Sequence, residues 1–298
     1  MLAKARDLPA DEVFLDLEDA VAPLAKESAR ANVVAALNDG GWSGQTRAVR
    51  VNDVTTPWTY RDVIDIVEGA GDQVDCLVLP KVESIVHVQW LDLLLRQAEA
   101  SLGLPVGGIG IEVQIESARG LVAVDAIASS SPRVESLVFG PADFIASVNM
   151  RTMVVGEQPA GYDVGDAYHY VLFKILADAR ANDLQAIDGP YLAVHDLEGL
   201  RRVAGRTAAL GFDGKWVIHP GQIDVVNDVF APSQEDFDHA ELVLEAYEYW
   251  TSASGGTRGA AMLGDEMIDE ASRKMALVVS ARGRAAGLVR ESAFEPPS

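Results

Sequence analysis

Glu116 and Asp143 are the residues whose type and setting first suggest chemistry. Each is a carboxylate just past an apolar, β-branched run, Ile109–Ile115 and Val134–Phe139, within the stretch Gly108–Phe144. Between the runs, Leu121, Val122, Val124 and Ile127 recur at helical spacing in Ala118–Ser130, so the segment reads strand, helix, strand. A helical crossover this short makes the two strands parallel neighbours. Both acids then leave one sheet at its carboxyl end, where α/β folds place their chemistry. Two hard oxygen donors with nothing soft beside them suit Mg²⁺ or Mn²⁺ better than zinc. Taken singly, each acid is better read as a helix N-cap or as loop solvation. The pairing, with Gly140-Pro141 shaping the second turn, argues for a metal site.

Holding two such acids in place needs a sheet, and short apolar runs bounded by Gly, Pro, Asn or Asp supply seven strand candidates. They are Val13–Leu17, Arg47–Val51, Cys76–Pro80, Ile109–Ile115, Val134–Phe139, Gln185–Asp188 and Trp216–His219. Helical periodicity fills the intervals, most clearly in Lys26–Leu37, Tyr60–Val67, Ile85–Ala98, Tyr168–Ala181 and Leu197–Leu210. This alternation is the signature of a parallel sheet with helical crossovers. Seven repeats point to a (β/α)8 TIM barrel one strand short. A doubly wound sheet tolerates seven strands, yet no G-x-G-x-x-G or G-x-x-x-x-G-K-[ST] loop joins a strand to a helix.

Every strand candidate delivers polar groups to the same rim. The first ends in Asp16-Leu17-Glu18-Asp19, the second carries Arg50 and ends at Asn52-Asp53, and the third ends in Pro80-Lys81-Val82-Glu83. The sixth gives Asp188-Gly189-Pro190 and the seventh His219-Pro220. A pattern repeated at all seven ends is more than loop solvation requires. A divalent ion on two carboxylates together with a guanidinium is the equipment of enolate chemistry: the ion polarises an α-keto acid and the cation stabilises charge on the other carbonyl. The plainer readings are a salt bridge for Arg50, a turn-capping surface lysine for Lys81 and a hydrogen-bonding fixture for His219; for Lys81 and His219 the plainer reading is preferred.

With 24 basic against 45 acidic residues the net charge is −21, which argues against nucleic acid or an anionic membrane as a general partner. The single cysteine, Cys76, lies in an apolar run and reads as a small buried hydrophobe. No apolar run is long enough to span a bilayer and no signal-peptide pattern opens the chain, so a cytoplasmic location is the default. The catalytic barrel is expected over residues 1–230 and a C-terminal helical extension over 231–298. After the seventh strand candidate come a short helix, Ile223–Val229, and a long one, Gln234–Trp250, then a flexible linker, Thr251–Ala260, and a helix over Glu266–Ala286. Such a layout suits a lid, an arm docking on a neighbouring subunit, or a helix packed on its own barrel.

Six ordered motifs carry a resemblance. They are Asp16-Leu17-Glu18-Asp19-Ala20-Val21, Arg50-Val51-Asn52, Leu79-Pro80-Lys81-Val82-Glu83, Gln114-Ile115-Glu116-Ser117-Ala118, Phe139-Gly140-Pro141-Ala142-Asp143-Phe144 and Ile218-His219-Pro220-Gly221-Gln222. With Gly264-Asp265-Glu266-Met267-Ile268-Asp269 further on, the chain resembles the citrate lyase β-subunit-like CoA-ester lyases of the HpcH/HpaI aldolase superfamily, which include malyl-CoA and citramalyl-CoA lyases. The resemblance implies a TIM barrel with Mg²⁺ on Glu116 and Asp143, Arg50 facing the substrate carboxylate or thioester oxygen, and Glu18 and Asp19, with His219, supporting the metal waters from behind. Lys81, Pro141 and Ala142 would line the substrate and CoA. Asp269 would be the catalytic base or acid carried by the extension, often across a subunit boundary, which implies a trimer or hexamer. Family members usually open with one more strand, so the resemblance implies that the first barrel strand lies upstream of Met1.

The expected reaction is reversible cleavage of a 3-hydroxy dicarboxylic acyl-CoA of the malyl-CoA type to an α-keto acid and an acyl-CoA. Malyl-CoA thioesterase, citramalyl-CoA or citryl-CoA lyase, a CoA-free class II pyruvate aldolase and a non-catalytic CoA-ester-binding subunit are the alternatives.

Overall fold

The structure is a computed structural model describing residues 2–42 and 44–296, and the chain divides into two compact units, Met1–Val226 and Asn227–Ser298. In the first unit, strands β1 (Glu12–Asp16), β2 (Thr46–Arg50), β3 (Cys76–Leu79), β4 (Gly110–Ile115), β5 (Val134–Phe139), β6 (Gln185–Asp188) and β7 (Gly214–Lys215) form one sheet in sequential order. All six pairings are parallel. Helix α1 (Leu2–Ala5) precedes the sheet. The crossovers carry α2 (Lys26–Asn38), α3 (Thr59–Ala70), α4 (Ile85–Leu102), α5 (Ala118–Ala128), the short α6 (Pro141–Ser147), α7 (His169–Ala181) and α8 (Leu197–Leu210). Sequential parallel staves with a helical crossover between each pair, two helices lying between β5 and β6, are the barrel order, and seven of the eight staves are present among the described residues.

The strands alternate as a barrel demands. Ala48, Cys76, Val78 and Val138 join Phe14, Ile187 and Trp216 in one cluster on one face, while Leu77, Leu79, Ile111 and Ile115 are fully buried at the intervening positions. Each such side chain contributes roughly 1.5–3 kcal/mol. β1 and β7 are not hydrogen-bonded to each other; the gap is bridged by the Phe14 and Trp216 rings, stacked with centroids 4.3 Å apart. Chain direction is set by caps: Ser84, Ser117 and Asp196 accept from the first turns of α4, α5 and α8, and Gly103 and Gly211, at φ 72° and 114°, end α4 and α8.

The seventh strand differs from expectation. It is Gly214–Lys215 rather than Trp216–His219. The Trp216 amide makes one last bond to the Asp188 carbonyl, at 2.9 Å, and the chain then turns away toward Pro220, which has no amide to offer.

The second unit, which takes over within α9 (Ile223–Phe230), contains α10 (Gln234–Thr251), an antiparallel hairpin of β8 (Ala261–Leu263) and β9 (Glu266–Ile268), and α11 (Glu270–Ala285). A single helix over Glu266–Ala286 was the expectation; instead Gly264, at φ 58°, turns the chain into β9, and Asp269 starts the helix as its N-cap. Nor is Thr251–Ala260 an open linker: the Arg258 amide donates to the Trp250 carbonyl at 2.8 Å and the Arg258 guanidinium lies over the Trp250 ring. Ala240, Val243, Ala246, Ile268 and Ala276 form this unit's core. None of the described helices is long and apolar enough to cross a membrane.

Candidate active site

The carboxyl ends of β1 to β5 place the site. Asp16 and Arg50 are register partners on β1 and β2, so their side chains leave the sheet side by side. Arg50 donates from Nε and Nη2 to the two Asp16 oxygens, at 2.8 and 2.6 Å, and its Nη1 lies 3.2 Å from Glu18 Oε2. The guanidinium also lies over the Phe14 and Trp216 rings, 5.8 Å from each centroid. Burial works against this charge, but Asp16 and Glu18 outweigh it and raise the Arg50 pKa. The salt-bridge reading of Arg50 therefore describes its resting contacts; a planar cation clamped on two sides still offers its remaining N–H groups in a fixed direction.

Glu18 is buried between two cations, with Lys81 Nζ 2.5 Å from its Oε1. Its backbone is fixed too, because the buried Lys26 ammonium donates to the Leu17 and Glu18 carbonyls at 2.7 Å each. Asp19 is exposed and 3.7 Å from Lys81 Nζ. Lys81 sits at φ 52°, a left-handed turn that costs a non-glycine residue about 1 kcal/mol or more. That turn aims the Lys81 backbone N–H at Glu116 Oε1, 2.6 Å away. Sequence reasoning expected a side chain to matter at Lys81; the amide matters as well.

Glu116, just past β4, is buried; its second oxygen accepts from Gln114 Nε2 at 2.8 Å. Gly140 makes room for it: a Cβ there would fall 2.4 Å from Glu116 Cβ and 2.5 Å from Oε2. Pro141 opens α6, and Asp143 lies in its first turn, close enough to repel the Glu116 charge. Burial foremost, with Asp143 and Glu18 adding to it against the opposing Lys81 amide, pushes Glu116 up to about 8. A hard divalent cation fits this donor set, since it would supply the charge that two neighbouring carboxylates lack, and the Gln114 Oε1 beside them is buried without a hydrogen-bond partner. Pro141 is buried and Ala142 exposed on the same turn.

The remaining expected residues lie elsewhere. His219 is exposed and caps the short turn at Pro220–Gln222, its Nδ1 accepting from the Gly221 amide at 3.1 Å, with its ring edge-on to His195. Among the described residues none of the contacts of Glu18, Arg50 or Glu116 involves it. Asp269 belongs to the C-terminal unit, where its Oδ1 caps α11 by accepting from the Ala271 and Ser272 amides at 2.9 and 3.1 Å. Gln114, Gly140, Lys26 and Asp16 went unassigned as individual residues. For Gln114 the signal was present, because it shares Glu116's strand parity.

The sequence profile of the HpcH/HpaI aldolase/citrate lyase family matches residues 1–220. The chain belongs to this family. Among relatives, an L-malyl-CoA/β-methylmalyl-CoA lyase of Cereibacter sphaeroides is 38% identical over 278 residues, spanning 91% of this chain and 86% of that protein. A citrate lyase subunit β of Leuconostoc mesenteroides is 34% identical over 269 residues, spanning 90% and 84%. Among solved structures, CitE from Mycobacterium tuberculosis in complex with magnesium, acetoacetate and coenzyme A superposes with a TM-score of 0.69 at 30% identity, covering 92% of this chain and 90% of that one. Family membership and the seven-strand barrel order agree with what the six motifs implied.

Proposed function

We propose that this HpcH/HpaI family chain is a divalent-metal-dependent carbon–carbon lyase, cleaving a 3-hydroxy dicarboxylic acyl-CoA of the malyl-CoA type to an α-keto acid such as glyoxylate and an acyl-CoA. One observation carries the reading: the buried Glu116, steered by the Lys81 amide and uncovered by Gly140, faces Asp143 on the rim where Arg50 and Lys81 stand. Similarity to a malyl-CoA/β-methylmalyl-CoA lyase over most of both chains supports the substrate class.

Glu116 and Asp143 would hold Mg²⁺, with Mn²⁺ a substitute, and the ion would polarise the carbonyl oxygen of the α-keto acid. The chain's own groups do the rest. A base takes the 3-hydroxyl proton as the C2–C3 bond breaks, the hydroxyl carbon becomes the carbonyl of the α-keto acid, and the electron pair of that bond leaves as a thioester enolate, whose oxygen charge falls to the Arg50 guanidinium, held immobile by Asp16 and Glu18. Lys81, Pro141 and Ala142 would border the CoA ester. A carboxyl group, assigned to Asp269, returns a proton to the acyl carbon. A homo-oligomer, trimeric or hexameric, is part of the proposal, because an Asp269 carried by the C-terminal unit would complete a neighbour's site; the exposed cross-strand pair Met262 and Met267 gives that unit an apolar contact. The cytoplasm is the proposed location, in keeping with a CoA-thioester substrate.

The test is incubation with malyl-CoA and Mg²⁺, with and without EDTA, reading glyoxylate and free CoA separately. Metal-dependent glyoxylate is expected. Free CoA with malate would instead make it a thioesterase; binding without turnover, equally in Glu116→Ala, would make it a CoA-ester-binding subunit.

A further inference from the structure

At the opposite end of the strands, three side chains meet inside the barrel. They are Glu12 on β1, Cys76 on β3 and Glu112 on β4, and a ligand atom from each lies within 4.8 Å of the other two. Glu112 on β4 and Glu116 just past its end are four residues apart, about 13 Å along an extended chain, so this is separate from the rim site. Cys76 is fully buried and Glu112 is 5% exposed. Ser136, 1% exposed, is the register partner of Glu112 on β5 and adjoins its carboxylate. Yet Ser136 Oγ and Glu112 Oε2 make no hydrogen bond of acceptable geometry, leaving a buried hydroxyl and a buried carboxylate oxygen unused side by side. The groups acting most strongly on Glu12 after its burial are Glu112, Glu135 and Asp75, all acidic. Burial and these neighbours push Glu12 up to about 9 and, with Glu12, raise the Cys76 thiol; burial and Glu135 raise the Glu112 carboxyl against the opposing Glu12 and Ser136 side chains. Asp75 is paired with Arg47 at 3.0 Å, whereas no cation lies beside Glu12 or Glu112 among the described residues, and buried like charges so placed are strongly unfavourable.

We propose that Glu12, Cys76 and Glu112 form a second divalent-cation site, for a borderline ion of the zinc class, with the Ser136 hydroxyl turned toward it. The thiol distinguishes it from the all-oxygen rim site, because thiolate selects zinc-like ions over magnesium. Binding exchanges the Cys76 proton, and any proton held by the two carboxyls, for the ion; these protons go to solvent and nothing is oxidised. The ion would join β1, an edge strand, to β3 and β4 at the bottom of the barrel. Its role is that of a clip.

Cobalt(II) is the probe, added to the full chain in excess Mg²⁺. Cys76 is the only cysteine, so a near-ultraviolet thiolate-to-cobalt charge-transfer band has one possible source. The expected result is that band at one equivalent, kept in Glu116→Gln and lost in Cys76→Ser. Should Cys76→Ser fail to fold, Glu112→Gln serves, and is expected to weaken the titration at least about tenfold. Saturating cobalt without the band, or a titration unchanged by Glu112→Gln, overturns the proposal. In that case the carboxyls share a proton only, and Glu112→Gln stabilises the protein at neutral pH.

Discussion

Arg50 supports the fold and the proposed chemistry with the same guanidinium, and the two roles separate on substitution. Arg50→Met removes the counter-charge from Asp16 and Glu18, both nearly buried, and is expected to cost about 3–5 kcal/mol in urea unfolding. Arg50→Lys keeps a charge but cannot span both Asp16 oxygens. Its stability should fall less, while turnover of malyl-CoA drops roughly 10²- to 10³-fold. Asp269 offers a cleaner separation. Asparagine caps helices as well as aspartate does, so Asp269→Asn should leave the melting temperature of the C-terminal unit unchanged. If Asp269 returns the proton, kcat nevertheless collapses; an unchanged kcat would reduce the residue to a cap. The two acids Glu116 and Asp143 were legible because each follows an apolar run. What holds Glu116 was only half legible: Gln114 could have been found from its shared strand parity, but the Lys81 amide depends on a left-handed backbone that no residue type announces.

At the scale of elements, the turn between β5 and α6 sets how far Glu116 can swing. Gly140→Ala inserts a methyl into space that the Glu116 side chain occupies. The variant should fold, bind Mg²⁺ more weakly by at least about tenfold, and lose activity in proportion, as titration calorimetry would show. In the C-terminal unit, Glu245 on α10 pairs with Arg290 and accepts from the Phe294 amide, and these contacts hold its carboxyl at about 2 rather than 4.5. The lowered value makes the contribution of this pair present above about pH 4.5 and lost as pH falls toward 2. Protection of the Phe294 amide, its exchange rate relative to the intrinsic rate at each pH, should therefore fall over that window, and Glu245→Gln should flatten the dependence. Most helices and strands were readable because β-branched runs alternate with amphipathic ones. The hairpin of β8 and β9 was not, because three-residue strands carry no measurable period and the capping strength of Asp269 outranks the helix propensity of Glu266-Met267-Ile268.

Across the whole molecule, the barrel order followed from the repeat of strand and helix, whereas most ion pairs join residues far apart in the sequence, as Arg30–Asp62, Arg50–Asp16 and Lys215–Asp188 do. A buried example is Arg133, which joins α4 to the start of β5 by donating to Glu99 and Asp92 at 2.5–2.8 Å, and no period or motif in the sequence announces it. The sheet has a further property. Every strand pairs only with the strands next to it in sequence, and no ladder closes β1 onto β7. Backbone hydrogen bonds therefore tie each stave only to its immediate neighbours, and the first and last staves are joined by side-chain packing alone, the Phe14–Trp216 stack, so that opening begins at an end. The molecule should not unfold in a single step: β7, with two residues in its ladder, frays first, and β3 to β5 form the last cooperative block. In native-state hydrogen exchange, protection would fall away from that block in both directions, and denaturation followed at Trp216 would precede denaturation followed by helical circular dichroism.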